Sequence, residues 1–183
     1  MVQSAARRLC LWSMISSLIG IAPAALPRSA AELPAVSSLT ALTRKSAYVF
    51  KGTVLAVTRM PPDSGNSIAS VQITFRVDQG IFGVRTGQTL KMREWAGLWE
   101  AGERYRPGEQ VVLFLHRPSR LGFTSPVGGG LGRFTIDRTG SVVLRPGQAT
   151  VLAPVLAKPL PVTGKPRVSS LEFIRVVKRS GLE

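Results

Sequence analysis

The pattern of residues 71–77 restricts the fold more than any other part of the chain. Four apolar residues alternate there with polar ones: Val71, Ile73, Phe75 and Val77. This period of two places the apolar side chains on one face of a β-strand and leaves the other face to solvent. A sheet with one buried and one solvated face is typical of antiparallel architectures.

Several further segments have strand composition and are separated by turn-forming residues. Gly52 lies inside the first of them, where a bulge or bend lets a sheet coil. Residues 111–115 are apolar without a break, which predicts a strand that is buried on both faces. The predicted strands cover residues 47–58, 71–78, 90–93, 111–115, a short piece opening at Phe123, 134–136 and 142–144. Many short strands with little helix between them predict a mainly β fold, an antiparallel barrel or sandwich.

Short helices flank the predicted strands. Residues 37–45 begin with serines and end with Arg44 and Lys45, cations that the helix dipole favours at a C-terminus. Near the other end, Ser169 and Glu172 have the spacing of a capping box. The predicted C-terminal helix, residues 169–183, has an apolar stripe of Leu171, Phe173, Ile174 and Val177 and is expected to pack on the barrel. Residues 146–168, rich in proline, predict an extended connection.

Residues 1–31 are typical of a secretory signal peptide. Arg7 and Arg8 precede an apolar run, and small residues follow that run. We predict cleavage near Ala31, with Ala25 as the alternative, and a periplasmic or secreted protein. Two alternatives stay open, namely export by the twin-arginine route and retention of the segment as a membrane anchor. The serines, glycine and prolines in the run disfavour an anchor, and the mature chain has no predicted span.

Composition narrows the classes of function. The chain has 24 basic and 10 acidic residues, which gives a net charge of +14. Residues 1–31 contain three arginines and no acidic residue, so the mature chain carries a net charge of +11. A positive net charge of this size favours an anionic partner. Nucleic acid is disfavoured as that partner, because the protein is predicted to be exported. The single cysteine, Cys10, lies in the signal segment, so the mature chain has no disulfide. With one cysteine and one histidine, we predict no metal and no cofactor.

The order of four segments along the chain is distinctive. They read SAYVFKGTV from Ser46, VQITFRV from Val71, YRPGEQVVLFL from Tyr105 and GRF from Gly132. In this order they resemble a family of small exported bacterial proteins that have no assigned activity. Members of that family look like OB-fold barrels of the tissue-inhibitor-of-metalloproteinase and netrin-like type. The resemblance covers about residues 38–140 and implies an OB-like antiparallel β-barrel over residues 32–145, with a secreted protease among the candidate partners.

The mature chain departs from the metalloproteinase inhibitors of that fold in one decisive respect. Those inhibitors chelate the catalytic zinc with their first mature cysteine, and this mature chain has no cysteine. The resemblance therefore implies the barrel and does not imply the zinc-chelating mechanism.

Residues 93–106 contain the strongest candidate binding site. In OB folds, aromatic and arginine side chains on the barrel face and its loops stack bases or sugars and attract phosphates. The alternative is that at least one tryptophan fills a barrel end as core. The predicted binding residues are Arg93, Trp95, Trp99, Arg104, Tyr105 and Arg106.

These observations predict a non-enzymatic binding protein. Its predicted partner is a secreted or envelope protein, such as a protease, or an anionic envelope polymer. The alternative is a secreted hydrolase that uses His116 as a general base or a pair of loop carboxylates. Those carboxylates are Glu94, Glu100, Glu103 and Glu109. The glycine run at residues 128–132 precedes a predicted strand, so we interpret it as a flexible connection or a bulge between strands rather than a phosphate loop.

Overall fold

The computed structural model describes residues 38–62, 68–102, 104–156, 160 and 164–181. The predicted signal peptide, its two cleavage sites and the anchor alternative lie outside these residues. Across the described ranges, no helix is both long and apolar enough to cross a membrane.

Strands dominate the described part of the chain. They are β1 (Tyr48–Met60), β2 (Ser70–Phe82), β3 (Thr89–Trp95), β4 (Gln110–Leu115), β5 (Arg133–Ile136), β6 (Ser141–Val143) and β7 (Arg167–Ser169). The α-helices are α1 (Leu39–Lys45), α2 (Ala96–Ala101), α3 (Pro146–Leu152) and α4 (Ser170–Ser180). Short 3-10 helices cover Gly129–Gly132 and Ala153–Val155. The predicted mainly β class, with a short helix before the strands and another near the C-terminus, is confirmed.

All seven strands belong to one antiparallel sheet. Their order is β3-β2-β1-β4-β5-β6-β7, so β1 and β4 lie at its centre. The register between β1 and β2 shifts between Lys51 and Gly52, which confirms the irregularity expected at that glycine. A Cβ atom at Gly52 would lie 2.7 Å from the Arg76 carbonyl oxygen, so the close approach of the two strands requires glycine.

β4 separates two hydrophobic cores. Val111, Leu113 and Leu115 pack in the first core, which β1, β2 and β3 complete. Val112 and Phe114 pack in the second core, between the sheet and residues of α1, α3 and α4. All five side chains are buried, which confirms the prediction of a strand covered on both faces.

The segment that follows β4 contacts two different strands. Phe123 forms an isolated parallel bridge with Arg93 of β3, and the Thr124 N–H donates a hydrogen bond of 2.9 Å to the Arg93 carbonyl. Pro126 forms an antiparallel bridge with Leu115 of β4. The predicted strand at Phe123 is thus a single bridge, and it holds this segment beside the end of β3.

Two segments that were predicted to lack helix are helical. Residues 146–152 form α3. Pro146 is compatible with this helix because it occupies the first turn, where a residue needs no backbone N–H donor. The Gln148 side chain accepts a hydrogen bond from the Arg145 N–H and donates to the carbonyls of Gly130 and Arg133. Residues 95–108, with three glycines and Pro107, were predicted to be a loop, but residues 96–101 within them form α2.

The predicted capping box and apolar stripe of α4 are partly wrong. Ser169 precedes the helix, but its side chain makes no capping hydrogen bond. Leu171 is 70% exposed, because the buried face of α4 is rotated away from it. That face comprises Phe173, Ile174, Val176 and Val177.

Gly132 permits a close approach of backbone segments at the start of β5. A Cβ atom there would lie 2.4 Å from the Val127 carbonyl oxygen and 3.1 Å from that of Phe114. We therefore expect Gly132→Ala to lower the free energy of unfolding by about 1–3 kcal/mol through overpacking. Urea unfolding measures the loss. Gly147→Ala is the control, since its nearest neighbour is the flexible Leu131 side chain, and an equal loss in both variants would contradict the prediction.

Candidate functional site

Three adjoining concave surfaces surround α2. The apolar groove, about 480 Å³, is lined chiefly by Ile68, Trp95, Leu98, Leu121 and Phe123. The middle cavity, about 270 Å³, is lined chiefly by Glu94, Leu98, Pro126, Gly130, Arg133 and Arg145. The basic groove, about 870 Å³, is lined chiefly by Trp99, Arg104, Tyr105, Arg106, Glu109 and Arg133. Leu98 joins the first two surfaces, and Arg133 joins the last two.

Five of the six predicted binding residues line two of these surfaces, and the sixth, Arg93, contacts a side chain of the apolar groove. Trp95 lines the apolar groove and is 59% exposed. The guanidinium carbon of Arg93 lies 4.9 Å from the ring centroid of Phe123, in cation–π geometry at the same groove. The other four line the basic groove: Trp99, Arg104, Tyr105 and Arg106.

Trp99 and Tyr105 belong to the first core, although they line the basic groove. Each is almost fully buried. Their rings stack with centroids 6.1 Å apart, and Tyr105 meets Phe75 edge-on at 5.5 Å. Trp99 is therefore a core tryptophan, the alternative that the sequence left open, and the exposed charges of the basic groove are those of Arg104 and Arg106.

Arg133 is a buried cation that sequence reasoning did not select. Its Nη2 donates to both carboxylate oxygens of Glu109, at 2.8 and 3.1 Å, and to the Arg104 carbonyl at 3.2 Å. Its guanidinium carbon lies 3.8 Å from the Tyr105 ring centroid. Arg133 alternates with Phe134, and such alternation gives no sign of burial on the second face. Arg133 is buried because the segment that carries Tyr105 and Glu109 contacts it.

Glu94 is a buried carboxyl near the end of β3. It is 6% exposed, lines the middle cavity, and receives no side-chain hydrogen bond from any described residue. Burial raises its pKa from the ordinary value of 4.5 to about 7, although the positive charge of Arg133 acts in the opposite direction. Extending the alternation of Leu90 and Met92 by two residues places Glu94 on their face, which is the signal that would have identified it.

The other residues considered for catalysis are not gathered in one place. His116 is exposed at the end of β4 and lines none of the three surfaces. Glu100 is exposed and lies 3.5 Å from a guanidinium nitrogen of Arg59, whereas Glu109 pairs with Arg133. Glu103 lies outside the described residues. Within the described ranges, no cluster of three or more His, Cys, Asp or Glu side chains could hold a metal ion.

The surfaces around α2 thus combine exposed apolar contact area, arginine charge and one buried carboxyl. This combination suits binding, because it offers both apolar area and charged groups that can orient a ligand. Function is inferred from these residues and their geometry, since comparison with protein-family models, curated proteins and solved structures found no match to the chain.

Proposed function

We propose that the protein is an exported, non-enzymatic binding module that engages an acidic protein partner through the apolar groove. The observation that carries the proposal is the exposure of large apolar side chains along this groove. Trp95 and Leu121 are each 59% exposed, and Leu98 and Ile68 are 47% and 38% exposed. A contiguous patch of this kind, rimmed by polar groups, is a common feature of protein–protein contact sites.

The charge around the groove supports an acidic partner. Arg93 packs on Phe123, which lines the groove, and the exposed Arg120 directly precedes Leu121 in the chain. Without residues 1–31 the chain carries a net charge of +11, which accelerates encounter with acidic surfaces. A partner segment with an apolar or aromatic residue flanked by carboxylates would complement both the groove and its rim.

We infer further that the strands around the first core form an OB-like barrel. The pairing of β1 with β2, of β2 with β3 and of β1 with β4 supports this inference. The parallel bridge between Arg93 and Phe123 is a further support, because it links the segment after β4 to the outer edge of β3. The family resemblance across residues 38–140 and the signal-like segment 1–31 agree with an exported barrel of this type.

Replacing the groove side chains is expected to weaken partner binding at least tenfold while leaving stability within about 0.5 kcal/mol. The test variant is Trp95→Ala combined with Leu98→Ser. The exported protein is used to isolate a partner from its own cell envelope, and the affinity for that purified partner is then measured. Thermal unfolding of each variant checks that the fold is intact.

Leu55→Ser provides a matched control for Leu98→Ser. Leu55 lies on β1, is 46% exposed, and does not line the groove. Equal weakening by Leu55→Ser would contradict the assignment of the groove. Isolation of an anionic envelope polymer in place of a protein, released by raised salt, would contradict the partner class.

A hydrolase is the second candidate function, and Glu94 is the observation that favours it. A buried carboxyl that is protonated near neutral pH can donate a proton to a leaving group. The test is turnover of an ester, peptide and glycoside panel by the exported protein, with loss of turnover in Glu94→Gln. His116→Ala tests the proposed general base in the same assay. Absence of turnover across the panel would eliminate this candidate for the substrates tested.

A further inference from the structure

We propose that the protein docks on an anionic membrane surface through a basic face formed where α1, α4 and β2 end. Thr43 of α1, Phe82 of β2 and Lys178 of α4 line one cavity of about 250 Å³. The C-terminal ends of the two helices meet there, since a Cβ atom at Gly181 would lie 3.1 Å from Cγ2 of Thr43. None of the residues that line this cavity lines the three surfaces around α2, so the basic face is distinct from the apolar groove.

The positive charge of this face comes from the last turns of both helices. All four cations of these turns are exposed, and no ion pair joins any of them to a described residue. They are Arg44, Lys45, Lys178 and Arg179. The one carboxylate on α1 and α4 is that of Glu172, in the first turn of α4. The helix dipoles favour cations at these ends and leave their charge available to an anionic surface.

The basic face also exposes large apolar side chains. Phe82 is 54% exposed and lines the cavity beside Lys178. Leu171 is 70% exposed, and its spacing from Arg175 and Lys178 places all three on one side of α4. Helix dipoles account for the cations and not for these apolar groups. Exposed aromatic and leucine side chains among lysines and arginines are typical of surfaces that bind at the lipid headgroups.

Anionic lipid is the partner that complements both features of the face. Negatively charged headgroups attract the cations, and each cation near the surface strengthens partitioning about fivefold. The boundary between headgroups and acyl chains accepts the Phe82 ring and removes it from water. An anionic polymer would complement the charges alone. The Phe82 side chain therefore distinguishes a membrane from a purely electrostatic partner.

Co-sedimentation of the exported protein with vesicles tests the proposal. We expect binding to vesicles of equal parts phosphatidylglycerol and phosphatidylcholine at low salt, and binding about tenfold weaker or less to phosphatidylcholine alone. Lys45→Gln combined with Lys178→Gln should weaken the binding about tenfold or more. The control is Lys91→Gln combined with Lys165→Gln, which removes the same charge from two exposed lysines on other segments and should weaken binding by no more than about twofold.

Variants of Phe82 test insertion of the ring. Phe82→Ser should weaken vesicle binding about tenfold, whereas Phe82→Trp should retain it, because tryptophan suits the membrane interface. Leu55→Ser, at a position that is 46% exposed on β1, is the control and should leave binding unchanged. Thermal unfolding checks that each variant is folded. Absence of binding to the anionic vesicles, equal weakening by the two lysine pairs, or binding that depends on the lysines and not on Phe82 would overturn the proposal.

Discussion

Replacing Arg133 with alanine is expected to lower the free energy of unfolding by about 3–5 kcal/mol, because it leaves a partly buried carboxylate without its partner. The side chains of Arg133 and Glu109 are only 6% and 17% exposed, and the pair is joined by two short hydrogen bonds. The same change removes the cation–π contact with the Tyr105 ring and the hydrogen bond that Arg133 donates to the Arg104 carbonyl. Urea unfolding of both proteins at neutral pH measures the difference.

Arg138→Ala provides the control for the loss of an arginine. Arg138 is exposed in the turn between β5 and β6, and its replacement should change stability by no more than about 0.5 kcal/mol. The double variant Arg133→Ala with Glu109→Gln should lose less than the sum of the two single losses, since each single change strands the other partner. Additive losses would show that the two side chains do not act as a pair.

The stability of the protein should fall by about 3 kcal/mol as the pH rises from 4.5 to above 7 because of Glu94 alone. Burial raises the pKa of this carboxyl from 4.5 to about 7, so the folded chain retains a proton that the unfolded chain has lost. Within this window the folded state binds more protons, and raising the pH therefore favours unfolding. Above the folded pKa both states are ionised, and the loss becomes constant.

Urea unfolding at intervals between pH 4.5 and 8 measures this dependence. Glu94→Gln cannot ionise at this position and should flatten the profile, with its largest gain over the unmodified protein at pH 8. Glu100→Gln should retain the original slope, because Glu100 is exposed and pairs with Arg59 at the surface. A slope that persists in Glu94→Gln would assign the effect to another group.

Local patterns predicted the strands well. Val71, Ile73 and Phe75 do face one core, because a period of two specifies a side-chain face wherever the strand is regular. The unbroken apolar run of β4 predicted burial on both faces for the same reason. The helix at residues 146–152 was missed, since proline richness favours extended chain on average whereas Pro146 at a first turn favours helix.

The candidate site was predicted less well, because the burial of its side chains depends on contacts between distant parts of the chain. Trp95 lines the apolar groove and Arg93 contacts Phe123 there, whereas Tyr105 and Trp99, from the same predicted site, are buried in the first core. The environment of Arg133 is created by residues more than twenty positions earlier in the chain. Periodicity reports which face a side chain occupies and carries no information about what later covers that face.

The position of β4 between the two cores has a consequence for how the molecule unfolds. Alternate side chains of β4 pack into the first and the second core. Loss of β4 from one core therefore removes its side chains from the other core as well. Separation of β4 from β1 would expose apolar area on both sides at once. The helices that cover one side of the sheet and the strands that enclose the other are thereby coupled into a single cooperative transition.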